Sequence, residues 1–262
     1  MDKTLLLFTT VTLLATVSSC GGGDSTKPNV PTPSALIRVT GDGQSASVGA
    51  ILSTALIVKV VDAGGTGIPN IPVQWSLTGG DGRVSSPTTT TDPLGLTLVT
   101  LTLGSTPGRI TVSASAAQLP AVVFTATAIG PPQKLIYNRQ PTNVTAGAVM
   151  VPSVLIMVQD AAGTVVPDFN GLATVAISPG TGAPGATLSG ITTQVVTGGF
   201  VTFDNLRIDK AGTGYTLTAT TSGLTSAVSS PFTVNVATAA TLAFAVQPSD
   251  VTAGAAIAPA TR

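Results

Sequence analysis

Few residues in this chain are equipped for chemistry. Cys20 is the only cysteine, all 11 acidic residues are aspartates, and histidine and glutamate are absent. The commonest general acid–base side chain is therefore missing. A lone cysteine excludes an internal disulfide and the usual zinc ligand sets. By residue type, paired aspartates could flank a glycosidic bond, but no two of them sit in an aromatic-rich context. Asp168, Asn170, Asp204, Asn205 and Asp209 could offer oxygen to calcium. They lack the dense alternating spacing of a calcium loop, and turn formation accounts for them about as well. Trp75 could be a sugar-stacking platform. Its alternation with Val73 and Leu77 places it in a core instead. Tyr137 and Tyr215 are expected to pack with their hydroxyls at a rim. An enzyme is not expected, and no cofactor or metal is implied.

Cys20 has a more specific setting. Lys3 gives a short positive start, Leu5 to Leu14 is apolar, and Ala15 to Ser19 is small and uncharged. The apolar run falls short of the roughly 20 residues that span a bilayer, so residues 1–19 read as an export signal. Val17-Ser18-Ser19-Cys20 resembles the lipobox of bacterial lipoproteins. The resemblance implies that Cys20 receives a diacylglyceryl group and becomes the first residue after cleavage, a membrane anchor rather than a reactive thiol. Two or more acyl chains hold a protein stably at a bilayer, where one holds it only marginally. Gly21, where an inner-membrane retention signal often places Asp, implies an outer membrane or the cell surface. Asn143-Val144-Thr145 fits a glycosylation sequon, an accident in a bacterial lipoprotein.

Residues 20–34 have almost no apolar content beyond Cys20 and cannot offset the entropy of ordering. They read as a flexible tether reaching about 20 Å r.m.s..

The elements that must position everything else are strands. Threonine fills about one position in six, against only 8% charged residues, and β-branched side chains suit a pleated surface. Lys and Arg together number 11 and balance the 11 aspartates, so a basic field for nucleic acid is absent. Self-comparison shows a repeat. Leu135-Ile136-Tyr137 to Gln140-Pro141 recurs in outline from Leu242 to Pro248, and Val144 to Ala148 recurs at Val251 to Ala255, all offset by 107. Upstream, Asp62-Ala63-Gly64-Gly65-Thr66 matches Asp160 to Thr164 at an offset of 98. The sequence therefore predicts one unit at 35–129, a second at 132–238, and the start of a third, cut short, at 240–262. Ile129-Gly130-Pro131-Pro132 makes a short, fairly stiff join.

Within a unit, period-two alternation assigns Val58 and Val60, Val73 and Trp75, Ile110 and Val112, and Phe124 to the core of the first sandwich. Val175, Phe203 and Leu217 are the core candidates of the second. Leu96 and Leu98 in one phase, then Leu101 and Leu103 in the other, predict an inward face that changes parity midway. Val201 and Phe203, then Leu206 and Ile208, predict the same. Seven or so short strands with regular turn signals give an all-β fold of tandem antiparallel sandwiches.

Residues 48–75, VGAILSTALIVKVVDAGGTGIPNIPVQW, with TDPLGLTLVTLTLGSTPGRITVSA and VVFTATA, resemble the bacterial immunoglobulin-like group 1 domain of invasin- and intimin-type adhesins. The second unit resembles a related immunoglobulin-like repeat, with Val175 where Trp75 would align. The resemblance implies Greek-key sandwiches that act as rod segments, with ligand contact left to a distal region. The expected function is a non-catalytic, lipid-anchored surface stalk or adhesion protein. Its partners would be the membrane through Cys20 and a host, cell-surface or polysaccharide ligand met distally. The alternative is a set of spacer modules for a carbohydrate-binding or hydrolytic domain beyond Arg262.

Overall fold

The computed structural model describes residues 31–238 and 250–255. The expected export signal, Cys20, most of the expected tether, and Leu242, Phe244 and Val246 lie outside the described residues. Every regular element among the described residues is a strand.

The first unit is two sheets face to face. One has Leu56–Val61 at its centre, with Ala35–Thr40 and Leu96–Val99 antiparallel on either side. The other runs Gln44–Ser47, Val122–Ile129, Gly108–Ser115, Pro72–Gly79, Thr88–Thr90. All its pairings are antiparallel except that of Gln44–Ser47 with Val122–Ile129, which is parallel. The first chain segment thus pairs with both sheets, which closes the sandwich along one edge. Its core gathers Val58, Val60, Val73, Trp75, Val112 and Phe124 from both sheets.

The second unit repeats this plan. Val154–Gln159 lies between Lys134–Arg139 and Phe200–Phe203, and Leu172–Ile177 pairs with Leu217–Thr221. Val144–Thr145 runs parallel to Phe232–Asn235, as its counterpart does in the first unit. Val175, Phe203 and Leu217 are buried in a separate core. Pairing registers establish the equivalence more firmly than the letters. Leu36 faces Val60 as Leu135 faces Val158, and the register slips just after Arg38 as it does after Tyr137. Trp75 faces Ala114, and Val175 faces Ala219.

The parity switch holds in only one unit. In the second, Val201 and Phe203 face in, then Leu206 and Ile208. The chain leaves its strand at Asp204 and takes up a new pairing at Arg207. In the first unit Thr97, Val99, Leu101 and Leu103 are all buried, whereas Leu98 is 52% exposed. The expected inward face of Leu96 and Leu98 is corrected by one residue, and no change of phase occurs there. A buried threonine hid the true phase: Thr97 donates to Thr89 Oγ1 (2.7 Å), which satisfies its hydroxyl inside. A satisfied hydroxyl is tolerated where a bare one is costly.

One short turn occurs three times. Ala50 N–H donates to Ser47 O (3.1 Å), Ala148 to Thr145 O (3.0 Å) and Ala255 to Thr252 O (3.0 Å). Gly49, Gly147 and Gly254 hold the third position at φ of 77°, 75° and 88°. Only glycine adopts that conformation without strain.

Candidate functional site

Several carboxylates among the described residues accept from backbone amides. Asp62 Oδ1 accepts from the Gly64 and Thr66 amides (both 2.9 Å), and Asp92 Oδ1 accepts likewise from Leu94 and Leu96 (both 2.9 Å). Asp81 Oδ2 accepts from the amides of Ser105 (2.8 Å) and Thr106 (3.1 Å). These bonds, that from Thr106 foremost, hold the Asp81 carboxyl below the ordinary carboxylate range.

Two of the calcium candidates already hold backbone amides with their side-chain oxygens. Asp209 Oδ1 accepts from the Thr187 amide (2.7 Å), which lowers its pKa, and Asn205 Oδ1 accepts from Ile191 (2.8 Å). Asp168 and Asn170 instead line a groove at the join. No cluster of three or more His, Cys, Asp or Glu is found among the described residues. Asn143, of the sequon, uses its Oδ1 to accept from the Thr233 amide (2.8 Å).

Trp75, Tyr137 and Tyr215 are taken up by the two cores. Trp75 is 3% exposed; its ring centroid lies 5.9 Å from that of Phe124, and its Nε1 donates to Thr89 Oγ1 (2.8 Å). Tyr215 is fully buried, and its hydroxyl donates to Lys210 O (2.8 Å), five residues upstream. That is the tyrosine corner recurrent in immunoglobulin-like sandwiches. Tyr137 departs from expectation. Its hydroxyl is not at a rim but inside the core, donating to Leu217 O (3.0 Å), and burial pushes its phenol pKa up.

The sequence marks the join but not the part that Asp160 plays in it. Strand Val122–Ile129 ends and Lys134–Arg139 begins after four residues, Gly130 to Gln133. Gly130 is buried. Its N–H donates to Asp160 Oδ2 (2.9 Å), and Asp160 is buried in the second unit. A groove of about 560 Å³ opens beside the linker, with Ser47 and Val48 from the first unit and Val166, Asp168, Phe169 and Asn170 from the second along its walls.

Two immunoglobulin-like sandwiches in tandem, with polar groups committed to turns and joints, define a modular β-protein. Residues 39–128, most of the first unit, match the family model of the bacterial Ig-like domain (group 1). No curated protein matches the chain. Among solved structures, the D0-D1 domain of intimin is 18% identical, covering 78% of this chain and 98% of that one at a TM-score of 0.33. The Escherichia coli adhesin FdeC is 21% identical, covering 77% of this chain and 63% of that one at 0.34. A glycosyl hydrolase family 2 member from Bacteroides cellulosilyticus is 13% identical, covering 71% of this chain and 23% of that one at 0.36. At such scores these likenesses carry nothing about function.

Proposed function

We propose that the chain is an exported, non-catalytic, lipid-anchored surface protein whose immunoglobulin-like units form a stalk. The observation that carries this reading is the tandem arrangement, two sandwiches with separate cores joined by four residues, together with the lone Cys20 in its lipobox-like sequence. The binding of Asp62, Asp81, Asp92 and Asp209 to backbone amides supports it, since carboxylates so held are not poised for acid–base work. In this reading the acylated Cys20 holds the chain at a membrane, with Gly21 favouring the outer membrane or the cell surface. The tether of residues 20–34 separates the first sandwich from the lipid. Contact with a host cell, another surface or a polysaccharide belongs to a region farther from the anchor than these two units.

The test is fractionation. The parent chain, expressed in a bacterial host, should partition with membranes and carry acyl groups at Cys20 by mass spectrometry. Cys20→Ala should be soluble or remain unprocessed. A Cys20→Ala chain that is processed and partitions as the parent does would overturn the anchor.

A further inference from the structure

The same turn aspartate appears in both units, which gives the molecule an internal comparison. In the first, Asp62 closes its turn with one carboxylate oxygen, Oδ1, on the Gly64 and Thr66 amides. In the second, Asp160 Oδ1 accepts from the Thr164 amide (2.8 Å), and the Gly163 N–H donates to Asp160 O (3.2 Å). One oxygen therefore suffices for the turn. The other oxygen of Asp160 reaches the Gly130 amide, and Asp160 is wholly buried where Asp62 is half-buried.

The linker has two amide donors, because Pro131 and Pro132 have none. Gly130 donates to Asp160 Oδ2, and Gln133 donates to Gln159 O (2.9 Å). Both thus go to adjacent residues of the second unit. The first unit closes on the same point. A Cβ on Gly130 would lie 2.5 Å from Pro107 Cγ and 3.4 Å from Asp160 Cβ. Gly130 is not among the glycines with positive φ, so glycine is required here for space and not for backbone conformation.

We propose that Asp160 and Gly130 form a latch, closed by Pro107, that fixes the angle between the two sandwiches so that they move as one segment. The latch is one-sided. Pro107, Gly130 and Asp160 meet without room for a methyl group, whereas beside them the groove keeps Ser47 and Val48 apart from Phe169 and Asn170. Opening the closed side breaks a charge-assisted hydrogen bond, a kind stronger than its neutral counterpart, and bares a buried carboxylate oxygen. The latch deepens the stalk reading, since a fixed angle keeps successive units extended, but it does not depend on the lipid anchor. Its failure would leave the fractionation result untouched.

The angle can be read as a spin-label distance between Thr88→Cys in the first unit and Ser222→Cys in the second, both exposed positions. The full chain would carry Cys20→Ser so that only the introduced thiols react. The parent should give one narrow distance population. Asp160→Ala and Gly130→Ala should each lose it to a broad distribution, while Asp62→Ala, which disturbs the equivalent turn away from the join, should keep it. Gly130→Ala decides the matter if Asp160→Ala destabilises the second sandwich, because it leaves the Asp160 turn in place. A narrow parent-like distribution in Gly130→Ala would overturn the latch, and so would equal broadening in Asp62→Ala.

Discussion

The Trp75 indole fills the first core from the middle of Pro72–Gly79, with its N–H satisfied by Thr89 and that hydroxyl in turn accepting from Thr97. Burial of the ring and closure of the polar chain act together. Trp75→Ala should cost about 3–5 kcal/mol, the range for deleting a large buried aromatic, read by calorimetry or circular dichroism. A cost near zero would make the indole a surface group. Tyr137 does related work in the second unit, at the register position that Arg38 occupies in the first. There Arg38 lies with its guanidinium carbon 5.6 Å from the Phe124 ring centroid. Tyr137→Phe removes a buried hydrogen bond to Leu217 O and should cost about 0.5–1.5 kcal/mol. The phenol also has a pH signature. Its pKa is raised in the fold above the ordinary 10.0. Its contribution is thus complete below about pH 10 and is lost as pH rises through the folded value. Tyr137→Phe should reduce the alkaline loss of stability seen in the parent.

At the scale of strands and turns, period-two alternation was legible where both phases differ in polarity. Val73 and Trp75 against Gln74 and Ser76 is such a case, and so is Ile110 to Ala114. It misled where a threonine faced inward and a leucine outward, at Thr97 and Leu98, because hydropathy alone cannot register a hydroxyl that has found a partner. This gives a paired expectation. Val99→Ala, at a fully buried site, should cost about 2 kcal/mol from lost methyl groups and the cavity they leave. Leu98→Thr, on the outer face, should stay within about 0.5 kcal/mol. The reverse order in urea denaturation would restore the parity switch. Turns were more legible than their uses. The Asp-Ala-x-Gly motif announces a turn at both Asp62 and Asp160, but nothing local distinguishes the aspartate that also reaches Gly130. The Asp81 turn adds an acid-side expectation. Its carboxyl sits below the ordinary 3.8 through the Thr106 and Ser105 amides. Its contribution is present above that range and lost as pH falls through the folded value. Asp81→Asn should make the acid limb of the stability profile shallower.

The whole molecule joins two separate cores through one short linker, and its single tryptophan belongs to the first. Tryptophan emission therefore reports the first sandwich alone, while calorimetry reports both. This allows the cores to be addressed one at a time. Phe203 is fully buried in the second core, and Phe203→Ala should cost that unit about 3–5 kcal/mol. Sites in separate cores without shared partners add nearly independently, within about 0.3–0.5 kcal/mol. For a unit of this size each kcal/mol moves the midpoint by about 4–8 °C. Phe203→Ala should therefore pull one calorimetric transition down by well over ten degrees, on the order of the product of those two ranges. The tryptophan midpoint should move by no more than the small energy carried through Gly130 and Asp160. A tryptophan midpoint that falls together with the calorimetric one would show that the two sandwiches unfold as a single cooperative unit. The join would then contribute to stability as well as to orientation.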